Sequence, residues 1–145
     1  MNSDPVFDLT SRQKRAVRES FQSIREYSDS VVLLFYGRLF ELAPQAKGMF
    51  RVEMRDQARK LMDMLNAIVE ALEGGEKLRS KLEDLGRRHV AYGVRPEHYD
   101  TLMTALLWAF GSALDYEFDS ETRTAWEILL RGVSRVMTDG SSVRV

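Results

Sequence analysis

The chain has 145 residues and a formal net charge of −1 at pH 7, which suits one globular domain and gives no reason to expect nucleic acid or an anionic membrane as a partner. It contains no cysteine, which excludes disulfides, thiolate metal sites, a catalytic cysteine and covalent cofactor attachment through cysteine. Neither a secretory signal nor an apolar run of membrane-spanning length is visible. We therefore expect a single cytoplasmic domain over residues 1–145, with residues 1–8 as an N-terminal extension.

Two helices are predicted before residue 45. Thr10 and Gln13 have the spacing of a capping box, in which each side chain bonds the backbone of the other residue. A second helix is predicted to begin after Ser28 or Asp29. It should end at Pro44, because proline disfavours helical geometry in the residue before it.

Two further helices are predicted in the middle of the chain. The third begins at Gln57 and is stopped by the glycine pair at 74–75. The fourth carries His89 and ends near Gly93. Both follow from apolar residues that recur at helical intervals.

The last two helices complete an all-α prediction. Pro96 suits the first turn of the fifth helix, and the sixth is entered at Asp119 or Ser120. Gly140 and the serines after it predict a flexible tail over residues 139–145. Strand-like alternation is absent from the sequence.

His89 lies on an apolar stripe. Its fellow members recur at spacings of four and three residues: Leu78, Leu82, Leu85 and Tyr92. An imidazole on such a stripe loses hydration and needs a strong partner, which is either a hydrogen-bond acceptor or a metal. Taken alone, the stripe leaves a hydrogen-bonded core histidine and a metal ligand both open.

Several segments together resemble a globin from about Leu9 to Met137. They are residues 9–10, residues 35–44 (FYGRLFELAP), Phe50, residues 85–94 and the pair at 125–126. The resemblance is strongest to bacterial single-domain globins and to the haem domain of flavohaemoglobins, and around His89 the chain is also similar to neuroglobin-like sequences. It implies a globin fold in which the helix between Phe50 and Gln57 is short or missing.

The resemblance implies a non-covalent b-type haem whose iron is bound by His89. The second ring nitrogen of His89 would bond a carbonyl near Leu85, which fixes the orientation of the ring. Phe50 matches the phenylalanine that packs against the porphyrin, and Val94, in the matched segment 85–94, is a further expected haem contact. For Phe50, ordinary core packing is the alternative.

On the opposite side of the haem, the resemblance implies that Tyr36 and Gln57 face the bound gas, with Leu61 packing one turn deeper. The alternatives are a tyrosine bonded to a carbonyl or the surface, and a solvated glutamine. A slip in alignment would present Met54 or Lys60 instead of Gln57. Two hydrogen-bond donors would slow oxygen release by about two to four orders of magnitude.

Tyr99 matches a tyrosine that stands near the iron-bound imidazole in flavohaemoglobins. There a glutamate late in the last helix completes a hydrogen-bonded set. This chain offers Ser141 at that point, and Asp139 is misplaced, which argues against peroxidase-like chemistry.

Lys60, Arg87 and Arg88 are candidate partners for the haem propionates, with solvated cations as the alternative. The second histidine, His98, is interpreted as solvated.

The expected function is tight oxygen binding at ferrous haem, used for nitric oxide dioxygenation or other oxygen chemistry. Because no reductase domain follows Met137 in this sequence, turnover would need a separate electron donor. The alternatives are a gas sensor that acts through a partner protein, or a haem-free globin fold used for interactions. Oxygen and nitric oxide are the expected ligands, and the chain is expected to be a monomer or a weak homodimer.

Overall fold

The computed structural model describes residues 9–49, 54–73, 76–91 and 95–142, and these ranges contain helices but no β-strand. The six α-helices are α1 (Ser11–Glu26), α2 (Ser28–Leu42), α3 (Met54–Glu70), α4 (Glu76–Ala91), α5 (Pro96–Leu114) and α6 (Ser120–Ser142). Short 3-10 helices lie at Pro44–Met49, Ala71–Glu73 and Asp115–Glu117. Across the described ranges, none of the helices has the length and apolar character needed to span a membrane.

The predicted signals at the ends of α1 and α2 are confirmed. The Oγ1 of Thr10 accepts a hydrogen bond from the backbone N–H of Gln13 at 3.1 Å, and the Oε1 of Gln13 accepts one from the backbone N–H of Thr10 at 3.0 Å. The second helix ends at Leu42, just before Pro44. Both signals act within a few residues, so the sequence alone carries them.

Two predicted helix boundaries are wrong. The third helix begins at Met54 rather than Gln57, and Asp56 in its first turn suits the positive end of the helix dipole and pairs with Arg59 at 3.2 Å. The last helix continues through Gly140 to Ser142. A glycine inside a helix costs only about 1 kcal/mol, which does not stop α6.

Some predictions fall on residues outside the described ranges. The residues concerned are the N-terminal extension (1–8), residues 50–53 in the segment where a short or missing helix is expected, the glycine pair expected to end the third helix (74–75) and the end of the chain beyond 142. A flexible tail over residues 139–145 stays a prediction.

The helices pack in two main pairs, α4 on α6 and α2 on α5, and α1 lies against α6. The core between them contains large side chains that are almost completely buried: Trp126, Phe110, Ile24, Leu65, Leu72, Leu82 and Leu129. This arrangement places α4, which carries His89, directly on the long last helix.

Candidate functional site

His89 is a half-buried residue near the end of α4 whose ring is held by its own helix. Its Nδ1 lies 2.8 Å from the carbonyl oxygen of Leu85. A carbonyl oxygen only accepts hydrogen bonds, so Nδ1 carries the proton, and in the neutral ring the lone pair is on Nε2. Burial is the largest influence on the pKa of His89 and lowers it; the positive charge of Arg88 acts in the same direction, against the Leu85 bond. The lowered pKa favours the neutral imidazole, which is the form that binds metals.

Tyr99 on α5 lies beside this imidazole, at the position where the resemblance to flavohaemoglobins implies a tyrosine. The two ring centroids are 6.3 Å apart, and Tyr99 is 7% exposed. Its hydroxyl is buried and has no hydrogen-bond partner within the described part of the chain, and burial raises its pKa. Asp139 is exposed, and Ser141 lies within the last turn of α6.

Gly86 marks a close contact between α4 and α6 that the sequence analysis did not single out. A Cβ atom built on Gly86 would collide with the carbonyl oxygen of Met137 and would lie 2.7 Å from its carbonyl carbon and 2.9 Å from its Cα. The two helices therefore meet there backbone to backbone. The available signal was an isolated glycine inside a helical pattern, which usually has a packing reason.

Tyr36 on α2 lies in an aromatic cluster. Its side chain is 6% exposed, and its ring centroid is 4.7 Å from that of Phe35 and 6.0 Å from that of Phe40. Burial raises the pKa of Tyr36 to about 12. The phenol stays protonated at neutral pH and can act as a hydrogen-bond donor.

Gln57 and Leu61 lie one turn apart on α3, which contacts α2. Gln57 is half-buried rather than fully solvated, and Leu61 is partly buried and packs against the core. Lys60, the residue that a slip in alignment would present, is exposed. Phe50 and Val94, the other predicted haem contacts, lie outside the described residues.

The other candidate polar residues have partners within the protein. Arg87 and Arg88 are exposed and both pair with Asp84, at 3.5 and 3.2 Å. His98, interpreted as a solvated histidine, is partly exposed, and its Nδ1 accepts a hydrogen bond from the backbone N–H of Arg95 at 2.9 Å. This bond closes the first turn of α5.

Comparisons with known proteins agree with this architecture. The model of the Globin family matches residues 33–137. The chain is 34% identical over 128 residues to an anaerobic nitrite reductase from Oryza sativa subsp. indica, covering 82% of this chain and 86% of that protein. It is 27% identical to a flavohemoprotein from Rhizobium meliloti (strain 1021) over 81% of this chain but only 30% of that longer protein.

The fold comparison gives the same result. A hexacoordinated heme protein from an anhydrobiotic tardigrade superposes with a TM-score of 0.85 over 97% of this chain and 99% of that chain, at 18% identity.

The identity to the plant relative exceeds that to the bacterial flavohemoprotein, so these matches do not show a bacterial origin. They do support haem binding at the level of the family. Given the family match over most of its length, the chain belongs to the globin family.

Proposed function

We propose that this globin holds a b-type haem through the Nε2 of His89 and binds oxygen tightly for reaction with nitric oxide. The observation that supports the proposal most directly is the 2.8 Å bond from His89 Nδ1 to the Leu85 carbonyl in a neutral ring. A metal-bound histidine is ordinarily oriented by such a bond from its other nitrogen.

The residues present fit a haem. Besides the neutral imidazole, Tyr99 has a buried hydroxyl that the described protein atoms leave without a partner. Leaving such a group unsatisfied costs about 1–3 kcal/mol, which favours a partner supplied by a bound group or by water. When bound, the haem supplies a site for diatomic gases and a one-electron couple.

Tyr36 and Gln57 are the proposed hydrogen-bond donors to the gas. A hydrogen bond to a charged acceptor contributes roughly 1.5–3 kcal/mol, and about 1.4 kcal/mol changes a rate or equilibrium tenfold. With a pKa of about 12, Tyr36 donates a hydrogen bond without giving up its proton. This suits retention of oxygen rather than its release to tissues or cells.

Nitrite reduction is a second candidate, favoured by the 34% identity to the plant anaerobic nitrite reductase. Reducing nitrite to nitric oxide and water takes one electron and two protons. The high pKa of Tyr36 makes it a poor proton source, so we rank nitric oxide dioxygenation first. Turnover of either reaction needs an electron donor.

The first test is the absorption spectrum of the purified protein in its ferric, ferrous and oxygenated forms. We expect a Soret band that His89→Ala abolishes or changes and that His98→Ala leaves in place. A colourless protein, or an unaltered spectrum in His89→Ala, would refute the assignment of His89 as the iron ligand.

The second test separates the roles of the proposed donors. Tyr36→Phe and Gln57→Leu should each speed oxygen dissociation by at least about tenfold, the equivalent of one such bond. The matched controls are the exposed residues Tyr116 and Gln22, changed to Phe and Leu respectively. Unchanged dissociation rates in both Tyr36 and Gln57 variants would exclude the donor pair.

The third test addresses the reaction. Mixing the oxygenated protein with nitric oxide should yield stoichiometric nitrate, while the ferrous protein given nitrite under argon should react slowly. Fast nitrite consumption with little nitrate formation would favour the second candidate. Neither reaction, with a normal oxygen spectrum, would favour a sensor that acts through a partner.

A further inference from the structure

We infer that Gly86 is a positioning residue for His89, because it lets α4 dock backbone to backbone on α6 at Met137. The inference rests on the proposed function of His89 as the haem ligand. It concerns where the imidazole is held, which the Leu85 hydrogen bond alone does not determine.

The contact at Gly86 involves atoms that cannot move aside. The three atoms that an added Cβ would meet are all backbone atoms of Met137, so no side-chain rotation can relieve the collision. Any side chain at position 86 therefore has to push α4 away from α6. Densely packed interiors transmit such displacements along the helix.

The displacement would reach the imidazole directly. Gly86 follows Leu85, whose carbonyl accepts the hydrogen bond of His89, and it precedes His89 by less than one helical turn. Leu85 and His89 lie on the same rigid helix, so a shift of α4 would carry both together. The 2.8 Å bond would survive while the position of Nε2 relative to α2 and α5 changed.

Two other helical glycines lack this constraint. A Cβ on Gly37 would meet nothing within 4 Å, and one on Gly111 would lie 3.6 Å from Cδ2 of Phe118, an ordinary contact. Glycine inside a helix costs about 1 kcal/mol relative to alanine. Alanine should therefore be tolerated at Gly37 and Gly111 on steric grounds, and of these three glycines Gly86 alone is needed for the close approach of two helices.

The test compares Gly86→Ala with Gly37→Ala and Gly111→Ala in the haem-loaded protein. The readout is the iron–histidine stretching band of the ferrous, ligand-free form, measured by resonance Raman spectroscopy. We expect this band to shift or broaden in Gly86→Ala beyond the spread between wild type and the two control variants. A band that matches wild type in all three would overturn the inference.

A second arm separates positioning from general damage to the fold. In a His89→Gly background with imidazole added, the iron ligand is no longer attached to α4. Adding Gly86→Ala should then leave the iron–imidazole band unchanged. An equal shift with and without the tether would show that Gly86 acts on the site by another route, against the inference.

If Gly86→Ala does not fold, Leu82→Ala is the second variant. Leu82 is completely buried on α4, one turn before Gly86, and its truncation loosens that stretch of the helix without adding an atom at position 86. The same band should broaden, and an unaltered band would contradict the inference. Failure of the proposed function is distinguishable, because the wild-type protein itself would then lack an iron–histidine band.

Discussion

The two buried tyrosines on the proposed haem-facing helices have contrasting surroundings. Tyr36 packs against Phe35 and Phe40, and burial raises its pKa to about 12. Tyr99 lies beside His89 with a hydroxyl that has no partner within the described ranges. These surroundings fit the two proposed roles, in which Tyr36 donates a hydrogen bond to a bound gas and Tyr99 lies against His89, the proposed iron ligand.

The raised pKa of Tyr36 predicts an alkaline loss of stability. Above the ordinary tyrosine value of 10.0, Tyr36 ionises in the unfolded chain but stays protonated in the folded one, up to about 12. The unfolded state then binds fewer protons, so the free energy of unfolding should fall as pH rises, by up to about 1.4 kcal/mol per pH unit from this group.

Denaturant unfolding measured between about pH 9 and 12 tests this, since the interval begins below the pKa of tyrosine in the unfolded chain and extends to the pKa of Tyr36 in the folded protein. Tyr36→Phe should lose this part of the slope, whereas Tyr116→Phe, at an 84% exposed position, should keep it. Equal slopes in wild type and Tyr36→Phe would show that the phenol ionises alike in both states.

At the scale of elements, a hydrogen bond in the core joins the first helix to the last. The Nε1 of Trp126 donates to the Oγ of Ser20 at 2.9 Å, and that hydroxyl donates to the carbonyl of Ala16 at 2.7 Å. Trp126 is completely buried, so its N–H has no access to water as a substitute. The pair contributes to the docking of α1 against α6.

Ser20→Ala should lower the free energy of unfolding by about 1–3 kcal/mol, because it leaves the indole N–H of Trp126 unsatisfied. Ser23→Ala, on the same helix, removes only an exposed bond to Glu117 and should change stability by less than about 0.5 kcal/mol. Denaturant titration of the three proteins measures both effects. Similar losses in the two variants would contradict the assigned role of the Ser20 bond.

The helices that the sequence predicts well are those whose signals are local. The Thr10 capping box, Pro44 and Pro96 act within one turn, and the structure follows them. The end of α6 was missed because glycine only weakens a helix, and the remaining contacts of that helix come from distant parts of the chain. The three short 3-10 helices have no comparable local signal.

The site divides in the same way. The apolar stripe singles out His89 but leaves a core histidine and a metal ligand both open, and the bond to the Leu85 carbonyl was expected from the globin resemblance. The contact of Gly86 with Met137 joins two helices that are far apart in the sequence, so no local sequence pattern predicts it. Where the imidazole is held therefore depends on the tertiary packing of α4 on α6.

At the scale of the whole molecule, a tightly bound haem should contribute to stability. A ligand that binds only the folded state raises the free energy of unfolding by about 1.4 kcal/mol for each tenfold excess over its dissociation constant. Removing the haem should therefore lower Tm, and adding it back should restore Tm in a concentration-dependent way.

Differential scanning calorimetry of the loaded and haem-free protein measures this gap in Tm. His89→Ala should narrow it, because the variant loses the bond to iron, whereas His98→Ala should lower both transitions alike through its role at the start of α5. A gap as wide in His89→Ala as in wild type would argue that the bond to His89 contributes little to haem affinity.

The backbone contact at Gly86 also has a consequence for how this protein tolerates change. If His89 binds the iron as proposed, we expect a substitution there to fail because the iron-binding ring is lost, and a substitution at Gly86 to fail because a Cβ would collide with the backbone of Met137. A complete substitution scan scored on haem retention would find both positions intolerant. The strength of selection would therefore be similar at the two positions. Only the chemical nature of the few residues still accepted would distinguish His89, the proposed ligand, from Gly86, which leaves space for the close packing of its helix.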